Sequence, residues 1–303
     1  MDAGLRVNRA ALLALAHDAR LIAAPPGQTP SGPLAGERMA KQQGRGLNFD
    51  SLRRYQAGDD VRLIDWQATA RQSSTWIRLY NEERERPVFL LVDQRLDMYF
   101  ATRGQTKSVA AAKTAALLTW HSVHDGDRIG CLVFNDTDMA LQKCRPPRGA
   151  LNAILDDLLI YNRRLPEQYP NEPVTTVSLA SALLRASPAI PSGAWVAVLS
   201  DFHDIDPRSA ALLSGLRRRC EVSAFIVLDE VSQRLPSSGT LTAIYQGNET
   251  TFTLSGSLKK AITQRVSAHL THRERWLTGL GIQVNHLSVA QDLVSQLCRY
   301  RNG

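Results

Sequence analysis

The sequence predicts an α/β protein whose main part is a doubly wound, mostly parallel β-sheet, preceded by an N-terminal helix and a small β-rich module. Two continuous apolar runs, VFLLVD (88–93) and WVAVLSD (195–201), are typical of parallel strands that are buried on both faces. Helical segments rich in Ala and Leu separate such runs from residue 87 onward. This alternation does not occur before residue 87, which indicates a different architecture there.

Three segments follow from this pattern. Residues 1–36 predict an N-terminal helix over 5–22, where Leu, Val and Ala recur at helical spacing, and then a loop rich in Pro and Gly over 24–36. Residues 37–86 predict the small β-rich module, with one strand at 75–80. Residues 87–303 predict the α/β domain.

The α/β domain divides into regular elements along its length. Strands are predicted at 87–93, 128–134, 139–144, 195–201, 221–229 and 282–289, with the third as an antiparallel edge. Helices are predicted at 107–124, 149–162, 178–186, 206–219, 258–280 and 291–300. Residues 240–254 predict a hairpin with Gly-Asn at its tip.

Composition narrows the function classes. The 303 residues carry a net charge of +7, yet the only tight basic cluster is Arg217–Arg219, and no nucleic-acid reading motif is present, so we expect no nucleic-acid partner. No apolar run approaches the roughly 20 residues of a membrane helix, so we expect no membrane span. The four cysteines form no CxxC pair, which favours a reduced, cytoplasmic protein.

The segment from Gly44 to Glu85 has the most unusual composition, because Arg is its only cation and apolar residues interleave the charges. Arg pairs with carboxylates through a rigid fork, so this composition suits a network of ion pairs. We expect the three acids at 59, 60 and 65 to pair with the three arginines at 53, 62 and 71. Trp66 and Trp76 are expected to pack in the core or between modules, with an exposed protein-binding aromatic as the alternative.

The same segment carries a long motif of Gly, Asp, Arg and aromatic residues at fixed spacing. Its members are Gly44, Gly46, Phe49, Asp50, Leu52, Arg53, Tyr55, Gly58, Asp59, Asp60, Arg62, Ile64, Asp65, Trp66, Ala70 and Arg71. The motif resembles the signature of a bacterial family catalogued as domain of unknown function 58, and the resemblance extends from about residue 36 to the C-terminus. It implies a von Willebrand factor A-like domain after the motif and a partnership with MoxR-type AAA+ ATPases, but no established reaction.

Two central strands of the α/β domain end in an acid, Asp93 and Asp201. Because the carboxyl ends of parallel strands meet at one edge of the sheet, these two residues are expected at the same rim. Von Willebrand A domains hold Mg²⁺ there through a D-x-S-x-S loop, a Thr and a second Asp. The resemblance therefore assigns a degenerate metal-ion-dependent adhesion site to Asp93, Asp97, Asp201 and Thr175 or Thr176.

This assignment leaves three alternatives. Arg95 stands where the metal loop has its first Ser, so a guanidinium could fill the site and leave it free of metal. Asp97 could instead coordinate Mg²⁺ in place of the second Ser. The two strand-end acids could also cap helices and bind nothing.

Two function hypotheses remain. The first is a non-catalytic adaptor that binds proteins, among them a MoxR-type AAA+ ATPase and von Willebrand A-containing proteins, and that works in the assembly or maturation of protein complexes without a cofactor. The second is a metal-dependent hydrolase that uses Asp93, Asp97 and Asp201. The sequence has no nucleophile elbow, no Walker P-loop and no dinucleotide loop that opens a helix, which favours the adaptor.

Overall fold

The computed structural model describes residues 4–22, 47–71, 74–82, 86–102, 104–168, 176–229, 239–245 and 248–299. The chain forms two compact units, one made of Met1–Ala24 with Arg86–Gly303 and the other of Pro25–Glu85. The first helix, α1 (Arg9–Asp18), packs on two helices of the larger unit. The N-terminal helix is therefore part of the α/β domain, whereas the sequence pattern had grouped it with the loop that follows.

The smaller unit is built on two antiparallel strands, β1 (Leu47–Arg54) and β2 (Trp76–Glu82). A short 3-10 turn over Val61–Leu63 and the short helix α2 (Trp66–Arg71) connect them. Ile77 in β2 is 2% exposed and is the buried centre of the described part of this unit. The expected strand at 75–80 is present as β2, so the β-rich character of this module is confirmed within the described residues.

The larger unit contains a six-stranded sheet made of β3 (Val88–Asp93), β4 (Ile129–Phe134), β5 (Met139–Arg145), β6 (Trp195–Ser200), β7 (Glu221–Leu228) and β10 (Gln283–Ser288). The order of these strands across the sheet is β10-β7-β6-β3-β4-β5. Neighbouring strands are parallel except β5, which is the predicted antiparallel edge. The predicted hairpin is formed by β8 (Gly239–Tyr245) and β9 (Asn248–Leu254).

Helices cover both faces of this sheet. They are α3 (Lys107–Asp125), α4 (Pro147–Gln168), α5 (Leu179–Ala186), α6 (Pro207–Arg217), α7 (Gly256–Gly279) and α8 (Leu293–Arg299). Alternate residues of β3 point to opposite faces, as a strand requires: Leu90 packs in the cluster with α1, α3, α4 and α8, and Leu91 in the cluster with α5, α6 and α7. The predicted doubly wound, Rossmann-like α/β fold is confirmed.

The strand order changes direction at β3. From β3 the chain proceeds outward through β4 to β5, and it then returns to β6 on the other side of β3. In open α/β sheets this switch point forms a crevice beyond the carboxyl ends of the two diverging strands, and ligands bind there. The loops after β3 and β6 therefore mark the rim where a functional site is expected.

No helix in the described part of the chain combines the length and the apolar character that crossing a membrane requires.

Candidate functional site

The rim at the switch point is made by the loops that follow β3 and β6. Asp93 is the last residue of β3, and Asp201 directly follows β6. Both side chains are buried. Phe202, the next residue, has a φ of +54°, a region that a bulky side chain rarely adopts, and its backbone N–H donates to Ser200 Oγ at 3.0 Å. This sharp turn directs the chain after β6 back across the rim.

The carboxylate of Asp93 is saturated by donors from its own loop and from β6. Its Oδ1 accepts the backbone N–H and the Nε–H of Arg95, both at 3.0 Å. Its Oδ2 accepts Arg95 Nη2 at 2.7 Å and Ser200 Oγ at 2.6 Å. Four hydrogen bonds therefore fix this carboxylate and leave it no role as a free base.

The guanidinium of Arg95 also binds a second carboxylate. Nη1 donates to Asp204 Oδ2 at 2.6 Å and Nη2 donates to Asp204 Oδ1 at 2.9 Å, while the ring of Phe134 lies 5.2 Å from the guanidinium carbon. Burial alone would lower the pKa of Arg95, but the charges and hydrogen bonds of the two acids outweigh burial and raise that pKa above its ordinary value. Arg95 is 3% exposed and stays charged.

A second ion pair joins Lys107 to Asp201, with Nζ and Oδ2 2.5 Å apart. Lys107 is the first residue of α3, where a positive charge interacts unfavourably with the helix dipole. The carboxylate of Asp201 offsets this unfavourable interaction. Burial would raise the pKa of Asp201, but Lys107, with His203 and Arg273, outweighs burial and holds that pKa below its ordinary value. Arg273 of α7 donates to the backbone carbonyl of Asp201 at 2.9 Å.

The outer part of the rim is formed by Asp97 and His203. The Asp97 side chain is 61% exposed, and its Oδ2 lies 3.2 Å from His203 Nε2. His203 Nδ1 lies 3.9 Å from Asp201 Oδ1, so the imidazole bridges the two acids. Asp97 faces solvent instead of joining the buried carboxylates.

Thr176 does not reach the strand-end acids through its hydroxyl group. Its Oγ1 donates to the backbone carbonyl of Asp136 at 3.2 Å, and the Asp136 carboxylate accepts the backbone N–H of Leu96 at 2.7 Å. Thr175, the other Thr considered, lies outside the described residues. The Asp136 carboxylate thus anchors the loop after β3, which carries Arg95 and Asp97. The position of Asp136 in the sequence did not reveal this role.

The arrangement does not fit a Mg²⁺ site. Hard divalent cations need several free carboxylate or hydroxyl oxygens around one point. Among the described residues, no group of three or more His, Cys, Asp or Glu side chains could hold a metal ion. Two cationic side chains, Arg95 and Lys107, already engage Asp93, Asp204 and Asp201. The Mg²⁺ alternative, with Asp97 and Thr176 as ligands, therefore disagrees with this geometry.

Comparison with known proteins identifies the family. The sequence pattern described as "Protein of unknown function DUF58" matches residues 51–275. This chain belongs to the DUF58 family. It is also 28% identical over 272 residues to uncharacterized proteins of Mycobacterium bovis and of two Mycobacterium tuberculosis strains, and the match covers 89% of this chain and 83% of each relative.

The DUF58 signature forms a compact set of turns and ion pairs in the smaller unit. Arg53 binds Asp59 through two hydrogen bonds of 2.8 and 2.6 Å. The hydrogen bonds from Arg53, then the backbone N–H of Gln56, lower the pKa of Asp59. Gly58 has a φ of +107°, which a side chain would oppose, so glycine is required at this turn.

The other expected pairings differ in the structure. Asp65 pairs with Arg78 at 2.9 Å instead of Arg71, and it also accepts the backbone N–H groups of Gln67 and Ala68 at the start of α2. Asp60 accepts the backbone N–H of Arg62 at 2.9 Å and so begins the 3-10 turn. Asp60 and Asp65 thus both accept backbone N–H groups close to them in sequence, which the expectation of side-chain pairs alone did not include.

The remaining signature residues divide between interior and surface. Leu52 and Tyr55 are half-buried, and the side chains of Phe49 and Asp50 lie outside the described part of the structure. Trp66 is 69% exposed, so it is not a core residue of its module. Its place at the first turn of α2 points it to solvent, whereas Trp76 in β2 is half-buried.

Proposed function

We propose that this DUF58 protein is a non-catalytic adaptor that binds other proteins, with a MoxR-type AAA+ ATPase and von Willebrand A-containing proteins among its partners. The observation that carries the proposal is the 69% exposure of Trp66 within the family signature. Large exposed aromatic side chains are frequent anchors of protein interfaces. Val61, nearby in sequence, is also exposed and adds apolar surface to the same module.

Charge on this module favours an acidic partner. Arg54, Arg62 and Arg71 are exposed, and none of them forms an ion pair within the described part of the chain. Arg53 and Arg78, in contrast, are neutralised by Asp59 and Asp65. Exposed arginines on the same module as an exposed tryptophan attract an acidic protein surface and fix its orientation during encounter.

The α/β rim supports the same proposal because its chemical groups are engaged with one another. A hydrolase that used Asp93 and Asp201 would need at least one of these carboxylates free for a metal or a water molecule. Arg95 and Lys107 hold these carboxylates instead. The alternative of a metal-dependent hydrolase using Asp93, Asp97 and Asp201 is therefore the less favoured one.

The proposal places the adaptor in the cytoplasm, where AAA+ partners have access to ATP. All four cysteines, Cys131, Cys144, Cys220 and Cys298, are free thiols. Free buried thiols are usual in proteins that fold in a reducing compartment.

The decisive experiment measures binding to a MoxR-type AAA+ ATPase from the same organism. We expect the purified proteins to form a complex that changes the rate of ATP hydrolysis, and Trp66→Ala to weaken that complex at least about tenfold, as truncation of an aromatic anchor does. Phe252→Ala provides the matched control, since Phe252 is an exposed aromatic residue of the other unit.

Two results would contradict the adaptor. One is the absence of any complex together with hydrolysis of phosphoester or peptide substrates by the isolated protein. The other is equal weakening by the Trp66 and Phe252 variants, which would remove the module from the interface.

A further inference from the structure

We propose that the Arg95 guanidinium permanently replaces the divalent cation at this rim, so that the rim is organised without a metal ion and the substitution Arg95→Ser converts it into a metal-binding site. The proposal concerns the α/β unit alone and does not depend on the role of Trp66.

The first argument is positional. The guanidinium joins the loop after β3 to the loop after β6 through four hydrogen bonds, two to Asp93 and two to Asp204. These two acids are 111 residues apart in the chain (204 − 93), yet one planar cation holds both. A metal ion bound in a carboxylate site connects separate loops in the same way, because it is coordinated by oxygen ligands from each of them.

The second argument is electrostatic. Arg95 carries one positive charge between Asp93 and Asp204, and Lys107 carries another beside Asp201. A divalent cation at the same rim would approach both fixed charges closely in a buried environment, where charges are weakly screened. It would also compete with hydrogen bonds that already occupy each oxygen of Asp93.

The third argument concerns the oxygens that the guanidinium covers. Without the Arg95 side chain, the carboxylates of Asp93 and Asp204 would face the space it fills. The hydroxyl of Ser200 donates to Asp93 Oδ2, the same oxygen that accepts from Arg95 Nη2. A serine at position 95 would add another hydroxyl oxygen to the two carboxylates. Carboxylate and hydroxyl oxygens are the ligands that Mg²⁺ and Mn²⁺ prefer, so a single substitution supplies the missing donor set.

The proposal also sets the kind of contact that this rim makes. A rim metal with one open position would accept a carboxylate from a partner protein, whereas Arg95 is buried and four of its five N–H groups are already engaged. A partner at this rim therefore meets the exposed pair Asp97 and His203 instead of a metal. Partner binding is expected to be insensitive to chelators.

The test titrates Mn²⁺ into the full-length protein and follows free Mn²⁺ by electron paramagnetic resonance. Wild type and Arg95→Lys, which keeps the positive charge, are expected to leave Mn²⁺ free. Arg95→Ser is expected to bind about one equivalent, and excess Mg²⁺ is expected to raise its melting temperature while leaving that of wild type unchanged. Arg95→Gln is a second uncharged variant for the same titration. A glutamine amide has an NH₂ group to donate to Asp93 and an oxygen to bind the metal.

Binding of Mn²⁺ by wild type that is lost on Asp93→Asn would overturn the proposal. So would folded Arg95→Ser and Arg95→Gln proteins that both leave Mn²⁺ free. If Arg95→Ser folds only when Mg²⁺ is added, that result supports the proposal, because the ion then does the work of the guanidinium.

Discussion

The side-chain amide of Asn162 donates to Gln94 Oε1 at 3.0 Å, and its own oxygen accepts the backbone N–H of Val7 at 2.9 Å. Gln94 lies between the two rim residues Asp93 and Arg95, and its Nε2 donates to the backbone carbonyl of Ser108 at 2.9 Å. A buried chain of hydrogen bonds thus connects the N-terminal segment, α4 and the start of α3 to the loop that carries Arg95.

We expect Asn162→Ala to lower the free energy of unfolding by about 1–3 kcal/mol, because it leaves a buried N–H of Val7 and the Gln94 carbonyl oxygen without partners. Urea denaturation measures the change. Asn152→Ala is the control, since Asn152 is an exposed residue of the same helix whose side-chain oxygen accepts a hydrogen bond from Arg9, and this variant should lose little stability. Equal losses in the two variants would show that the buried chain contributes nothing specific.

Acid should weaken the rim through Asp204. Burial raises its pKa, but the hydrogen bond and charge of Arg95 outweigh burial, and the folded-state pKa falls below the ordinary value. A depressed pKa stabilises the folded state fully above the unfolded pKa of about 3.9, and this contribution is lost as the pH falls through the folded pKa. The stability difference between wild type and Asp204→Asn should therefore be largest near neutral pH and narrow below about pH 4. Urea midpoints measured from neutral to strongly acid pH test this, and a difference that widens in acid would contradict it.

The sheet should not tolerate a side chain at Gly130 in β4. A Cβ there would lie 2.8 Å from the Cys144 backbone nitrogen and 2.9 Å from both the Gln142 carbonyl oxygen and the Phe89 ring. Two of these neighbours are backbone atoms of β5, which cannot move without opening the edge of the sheet. We expect Gly130→Ala to lower the free energy of unfolding by about 1–3 kcal/mol, as overpacking does.

Substitution of Gly215 by alanine should have the opposite effect on stability from substitution of Gly130. Gly215 is an exposed residue of α6, and a Cβ there meets nothing within 4 Å. Gly215→Ala should stabilise the protein by about 0.5–1 kcal/mol, because alanine loses less backbone entropy in a helix. The melting temperatures of Gly130→Ala and Gly215→Ala test these two expectations. A lower melting temperature for Gly215→Ala would contradict the described helix.

Trp66 should be dispensable for folding. Its side chain is exposed, so Trp66→Ala is expected to change the melting temperature little, whereas Ile77→Ala, at the buried centre of the same unit, should cost about 2–5 kcal/mol in the free energy of unfolding of that unit. Circular dichroism and urea denaturation of both variants separate a binding residue from a structural one. A large loss of stability in Trp66→Ala would mean that this side chain has packing partners, and the adaptor interface would then lose its anchor.

The sequence predicted the sheet and two residues of its rim for a simple physical reason. Buried parallel strands are continuous apolar runs, and the residue that ends such a run, Asp93 or Asp201, must lie at the carboxyl edge. Local order of this kind can be read from neighbouring residues. The antiparallel edge strand and the hairpin were predictable on the same basis.

The partners of those residues could not be predicted in this way. Asp204 reaches Arg95 only because the chain turns sharply at Phe202, where a bulky residue adopts a positive φ that its type does not predict. Lys107 meets Asp201 because α3 begins beside β6, which depends on the packing of whole elements. In the smaller unit, Asp65 pairs with Arg78 instead of Arg71 because strand β2 brings residue 78 beside the start of α2.

The distribution of thiols gives this protein a natural attachment point for a single dye. Burial raises the pKa of Cys131 and Cys220, and it raises the pKa of Cys144 to about 11, so these three react slowly with maleimides. Cys298, at the surface of α8, is partly exposed, and its Sγ–H donates to the Leu21 carbonyl at 3.0 Å. A fluorophore placed there without any substitution would report on the α/β unit of the unaltered chain while partners are added.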